Sequence, residues 1–155
     1  MVSGLRHQQV LTQRGEHRLT ALLQCSAWDV VSVLTRRGPF PTGIVNLVRD
    51  ALRMRPDRIV LGEIRDGVAV LETLKSWNTG HPGGLSTIHA NSAEDVLRRL
   101  EDLATEVAVQ PPRRAICRSI DRIVHIARRT EGRRVEALLE VEGMEGEGYR
   151  LRRLA

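Results

Sequence analysis

Residues 52–66, LRMRPDRIVLGEIRD, carry the reading that decides the fold. Pro56 disfavours the helical conformation at Arg55, so a helix arriving from the N-terminal side ends there. Ile59-Val60-Leu61 follows as a short unbroken apolar run, the pattern of a strand buried on both faces. The run gives way at once to Gly62-Glu63-Ile64-Arg65-Asp66. Polar residues directly after a buried parallel strand sit at its carboxyl end, where open α/β sheets bind their ligands.

Toward the C-terminus, Val68, Leu71, Leu74 and Trp77 recur every three residues and read as one helical stripe, stopped by Gly80 and Pro82. Leu85 to Ile88 reads as a second short strand, giving a strand–helix–strand stretch of about thirty residues, the size of a βαβ unit. A right-handed crossover puts both carboxyl ends on one sheet edge. Glu63 and His89 are thereby expected in one crevice, although 26 positions separate them. Asn91 with Glu94 is a capping-box pattern opening a helix with apolar positions Val96, Leu97, Leu100, Leu103, Ala104 and Val107. A short helical segment is expected after Pro111-Pro112, then a strand over Ile123 to Ala127 and a hairpin turn at Glu131-Gly132. Val135, Ala137, Leu139 and Val141 alternate with a period of two, and a Gly-rich turn at 143–148 leads to an edge strand from Tyr149.

Toward the N-terminus, Ile44, Val45, Leu47, Val48 and Leu52 predict an amphipathic helix over 43–54. Val30 to Leu34 is a β-branched run closed by Arg36-Arg37-Gly38-Pro39. Residues 1–22 read as a poorly defined segment, and 23–155 as one partial domain.

The bulk numbers fit a globular protein: 155 residues, 41% hydrophobic, 28% charged and only 3% aromatic, so the core rests on aliphatic side chains. No apolar run approaches the roughly 18 residues of a membrane span, and the first residues carry no signal-peptide core. The expected location is the cytoplasm, with peripheral membrane contact open. Cys25 and Cys117 lack the spacing of a disulfide scaffold or a zinc site. The net charge of +5 arises wholly in residues 1–60, which hold nine arginines against four acids. Such an excess suits nucleic acid, phosphate or acidic lipid, or a solvated face; without interleaved aromatics nucleic acid is the weaker of these.

A carboxylate after an apolar strand is how nucleotide hydrolases hold Mg²⁺ through its water shell, which is the role open to Glu63. His89 and Thr87 beside it can read a terminal phosphate. Taken singly, each also suits a structural role: Glu63 a helix cap or surface charge, His89 a hydrogen-bonded support, Arg65 and Asp66 a pair or a contact to the next helix. A metal-hydrolase set of His81, His89 and Glu63 is weaker, because the histidines lie eight apart across Pro-Gly-Gly rather than at i, i+4 on a helix.

LRMRPDRIVLGEIRD, together with WNTGHPGGLSTIHANSAEDVLRRLEDL at 77–103, closely resembles the secretion ATPases of type II and type IV systems, nearest to the TrbB-type conjugal-transfer ATPases. The similarity runs from about Leu23 through the terminal hairpin. It implies an α/β, RecA-like P-loop NTPase domain with a parallel sheet core, crossover helices and a C-terminal antiparallel hairpin region. RIVLGEIRD resembles the Walker B segment, with Glu63 near Mg²⁺ and its water; GGLSTIHAN resembles the His box, with Thr87 and His89 near the γ-phosphate and Asn91 supporting the turn. Arg53, Arg55 and Arg65 fall in stretches that, in similar proteins, lie near nucleotide or a subunit interface. ATP and Mg²⁺ are the implied ligands. The implied assembly is a homohexamer at the inner-membrane secretion machinery.

Two departures qualify that resemblance. No G-x-x-x-x-G-K-[ST] occurs in the sequence, and the only lysine is Lys75. Losing four charge-assisted hydrogen bonds at ~1.5 kcal/mol each removes ~6 kcal/mol, or about four decades of nucleotide affinity. The stretch matching the family's Asp box reads His17-Arg-Leu-Thr-Ala-Leu22, with no acid after Glu16. The expectation is therefore a truncated subunit, with its first strand and P-loop absent, a hole in the sheet beside the strand ending in Glu63, and little or no activity alone. The alternatives are a non-catalytic module docking on intact ATPase subunits, and a basic nucleic-acid-binding fragment.

Overall fold

The apolar run does become a strand, and its neighbours explain how it is held. The computed structural model describes residues 8–14, 29–36, 38–81 and 83–155. Three parallel strands, β1 (Gln8–Arg14), β2 (Asp29–Thr35) and β3 (Arg58–Leu61), form a sheet in the order β2-β1-β3. β1 pairs with β2 from Gln8↔Asp29 to Arg14↔Thr35, and with β3 from Gln9↔Arg58 to Thr12↔Leu61. β1 thus lies beside β3, where the sequence reading expected a hole. Its Gln-rich composition masked it in the sequence, because the ladder there is held by backbone bonds and not announced by an apolar pattern.

Helix α1 (Ile44–Arg53) agrees with the predicted amphipathic helix and buries Leu47, Val48 and Ala51. Val48 joins Ile59 and Leu61 of β3 in one cluster, with Ile44, Leu52 and Trp77 packed against it. α1 ends unusually. Met54 N–H and Arg55 N–H turn back to the carbonyls of Ala51 and Leu52, and Arg55 takes φ 53°, the left-handed conformation normally given to glycine. Pro56 disfavours the right-handed helical region at Arg55, and the chain leaves the helix with Arg55 in the left-handed one.

Helix α2 (Gly67–Trp77) follows β3, but its buried face is not the expected stripe. Ala69, Val70, Thr73, Leu74 and Ser76 are buried, whereas Val68 is exposed. A three-residue step falls about 60° short of a full turn, so Val68 and Trp77 end on opposite sides of the helix. The expected strand at Leu85–Ile88 shrinks to a single parallel bridge, Val60↔Leu85, because β3 itself stops at Leu61.

Two compact units emerge, residues 1–64 with 71–87, and residues 65–70 with 88–155. The boundary expected between residues 22 and 23 lies outside the described residues. In the second unit, α3 (Val96–Thr105) buries Leu97, Leu100, Leu103 and Ala104, as the sequence spacing predicted. Its start differs from expectation: the helix opens after Asp95, whose N–H bonds Ser92 Oγ at 3.2 Å, so Asn91 does not cap it. α4 (Arg113–Ser119) packs near α3 and the last sheet. That sheet is antiparallel, β4 (Arg122–Arg129), β5 (Gly132–Glu145) and β6 (Gly148–Arg153), with β5 central. Ile123, Ala137 and Leu139 face the buried side. A bulge at Glu136 turns Val135 outward, where it pairs with Ile126; the period of two continues in sequence while its buried side changes.

Two glycines are required by close approach. A Cβ on Gly84 would overlap the Trp77 indole, and one on Gly67 would overlap the Leu103 carbonyl. Gly84→Ala is expected to destabilise the protein by about 2 kcal/mol in a chemical-denaturation titration, since the indole must move. Arg55→Gly is expected to be neutral or stabilising, whereas Arg53→Gly, inside the last turn of α1, costs about 1 kcal/mol. Equal losses from the two substitutions would contradict the assigned strain.

Candidate functional site

The sequence motif around Glu63 is held by backbone geometry on both flanks. Leu61 N–H donates to the Leu85 carbonyl at 2.9 Å, and Ile64 N–H donates to the Thr87 carbonyl at 2.8 Å. The Thr87 hydroxyl donates in the other direction, to the Gly62 carbonyl at 2.7 Å. Thr87 therefore grips the residues on either side of Glu63, and the Glu63 backbone is bracketed without using its own groups in those bonds. Glu63 is half-buried and interacts within the protein.

β3 is also fixed by Trp77. The indole Nε1 donates to the Ile59 carbonyl at 3.2 Å, which ties the end of α2 to the strand. Gly84 makes this possible by offering no side chain where the indole lies. Neither role was anticipated as part of the site, although the Gly83-Gly84 pair ahead of the second apolar segment was the available signal, since adjacent glycines often permit close backbone contact.

The other predicted residues take individual places. Thr87 is exposed, and its hydroxyl proton is committed to Gly62, so its part is to position the loop. His89 lies two residues beyond Thr87 in sequence; it is exposed and has a protein partner of its own. Asn91 is exposed in the bend before α3. Arg53 and Arg55 are exposed at the end of α1, and Arg65 is exposed after β3. Asp66 caps α2: its Oδ1 accepts the Ala69 N–H at 2.8 Å and its carbonyl the Val70 N–H at 3.1 Å. The structure thus joins Gly62, Ile64, Leu85 and Thr87 into one assembly around Glu63.

Among the described residues no three His, Cys, Asp or Glu side chains gather into a metal-ligand set, which removes the grouping of His81, His89 and Glu63. A single strand-end carboxylate suits a cation held through water, as Mg²⁺ with nucleotide is held. The phosphate side has no counterpart, because the cradle of backbone N–H groups and lysine is not encoded in these residues. The residues present therefore do not fit a complete Mg²⁺–nucleotide group. Among the described residues no helix is long and apolar enough to cross a membrane.

The chain matches known proteins along most of its length. The family described as "Type II/IV secretion system protein" matches residues 23–147. The conjugal transfer protein TrbB of Rhizobium radiobacter is 42% identical over 146 residues, covering 91% of this chain and 44% of that protein. A TrbB counterpart from Sinorhizobium fredii is 47% identical over 123 residues, covering 79% and 37% respectively. The chain thus spans less than half the length of these relatives. Among solved structures, the VirB11 ATPase of the Brucella suis type IV secretion system, in complex with sulphate, superposes with a TM-score of 0.68. It is 23% identical and is matched over 86% of this chain and 41% of its own. The pilus retraction motor PilT with bound ADP gives 0.52 at 22% identity, over 95% and 38%. These two likenesses concern the fold. The family match covers well over half of the chain, and the chain belongs to the type II/IV secretion system protein family.

Proposed function

We propose that this chain is part of an ATPase subunit of a conjugal-transfer or type IV secretion system, and that it contributes the strand-end carboxylate and the adjoining Thr–His loop of an ATP-hydrolysis site. The observation that supports this most is the grip of Thr87 on both neighbours of Glu63, with 2.7 and 2.8 Å hydrogen bonds. Catalysis by charge stabilisation depends on groups whose position is set before substrate arrives. A backbone bracket does this for the residues on either side of Glu63.

In the complete site Glu63 would hold Mg²⁺ through water, and His89 would face the γ-phosphate. Thr87 is a positioning residue, because its hydroxyl proton is already donated to Gly62. Asn91 supports the bend after His89. Arg53, Arg55 and Arg65 are the cations available to the nucleotide or to a neighbouring subunit. The strain at Arg55 favours such a role, since glycine would occupy that φ at lower cost. ATP and Mg²⁺ are the proposed ligands of the complete site. The subunit belongs in a homo-oligomer on the cytoplasmic face of the inner membrane, attached peripherally to the secretion machinery. Residues 23–155 form the domain portion that does this, and the 155 residues alone turn over no ATP.

A malachite-green phosphate assay on the purified chain is expected to match the buffer blank. Robust turnover abolished by Glu63→Gln would contradict this. The positive test is a chimera in which residues 52–103 of this chain replace their counterpart in the Rhizobium radiobacter TrbB protein. The chimera is expected to hydrolyse ATP if that relative does, and Glu63→Gln in it to lower kcat by about 100-fold. A folded chimera whose turnover is unaffected by Glu63→Gln would overturn the assignment.

A further inference from the structure

The segment that brackets Glu63 has little of what normally sets a strand's register. It meets β3 through one parallel bridge, Val60↔Leu85, and none of residues 83–87 is buried. Gly83 and Gly84 precede the bridge, and register is weakly specified in glycine-rich strands. A slip of one residue would carry Thr87 away from the Gly62 carbonyl and the Ile64 N–H that it now holds. Hydrogen bonding alone does not choose between registers. A Ser86 hydroxyl in the place of Thr87 would also donate to the Gly62 carbonyl.

Two positions in the segment bar a slip, one for each direction. The Trp77 indole is anchored to β3 itself, its Nε1–H donating to the Ile59 carbonyl at 3.2 Å. It lies where a Cβ on Gly84 would be, so the residue in that seat must be glycine. A slip that brought Leu85 into the seat would put Ile88 in the place of Thr87, and the Leu85 side chain would collide with the indole. The opposite slip would bring Gly83 into the seat and Pro82 to the place of Gly83. That place has φ 75°, whereas a proline ring locks φ at about −65°. The Arg58 guanidinium also lies over it, 3.3 Å from where a Cβ would stand.

We infer that Trp77 is a positioning residue: by seating only Gly84, it sets the register of residues 83–87 on β3 and so selects Thr87 as the bracket of Glu63. The indole reads the one position in the segment that lacks a side chain and can be reached without moving a left-handed residue. Pro82 supplies the stop on the other side. The consequence for hydrolysis rests on the function proposed above for Glu63, whereas the choice of register does not.

Amide NMR on the full chain, without nucleotide, tests the register. Leu85→Gly opens a second seat for the indole and, because Leu85 is 62% exposed, removes little burial. It is expected to give a second set of resonances for Gly62 to Ile64. Leu85→Ala keeps a Cβ and a single seat, and is expected to keep a single set. Trp77→Phe retains an aromatic ring but loses the donor to Ile59. Amide exchange at Ile64 is expected to rise about tenfold in it, while the β3 amides paired to β1 stay protected. A single set in folded Leu85→Gly, or wild-type exchange at Ile64 in Trp77→Phe, would overturn the inference. In the TrbB chimera, Leu85→Gly is expected to have about half the kcat of Leu85→Ala at the same KM for ATP, since two registers share the population. Equal kcat in the two, in a chimera whose turnover needs Glu63, would remove the positioning role. If Glu63→Gln leaves the chimera unaffected, the function proposed for Glu63 fails and the register result stands.

Discussion

Everything around Glu63 depends on a parallel backbone contact between the end of β3 and the segment 85–87. Two amide bonds, from Leu61 to Leu85 and from Ile64 to Thr87, are joined by the Thr87 hydroxyl bond to Gly62. Three bonds over four residues fix a turn that has little apolar cover of its own, since Leu85 is 62% exposed. The strand beneath is secured differently, by burial of Ile59 and Leu61 against Val48 and by the Trp77 indole on the Ile59 carbonyl. Apolar packing holds the strand, and hydrogen bonding aims the turn beyond its end. This division places an acid just beyond the end of the strand.

The parts legible in the sequence are those where one physical signal dominates. Ile59–Leu61 declared β3 by apolar content, and the spacing of Leu97, Leu100, Leu103 and Ala104 declared the buried face of α3. Regular alternation marked β5, and Gly132 its turn. Where two signals compete, the reading failed. A three-residue apolar repeat imitated a helical face in α2, although the buried set proved to be Ala69, Val70, Thr73, Leu74 and Ser76. Asn91 and Glu94 had capping-box spacing, yet Ser92 made the bond that opens α3. β1 escaped because Gln8–Arg14 holds three glutamines and only two adjacent apolar residues, Val10 and Leu11.

The site was legible as chemistry and only partly as geometry. Gly62-Glu63 and the Thr87–His89 segment stood out because polar residues follow apolar ones at two places. The link between them was expected from βαβ handedness, and the structure supplies it through Thr87 rather than through a full second strand. Asp66 turned out to cap α2, which is the structural role its sequence position also allowed. The Trp77–Gly84 contact had no sequence signal beyond the paired glycines, because it joins residues that no periodicity connects.

The account rests on the bracket around Glu63 being a persistent feature of the folded chain. Amide hydrogen exchange resolved by residue tests this directly at Leu61 and Ile64, whose N–H groups are donated to Leu85 and Thr87. Both amides are predicted to exchange far more slowly than in an unstructured chain, with Thr87→Val releasing Ile64 while leaving the β3 amides paired to β1 protected. Rapid exchange at Ile64 in the wild-type chain, under conditions where β3 stays protected, would contradict the account.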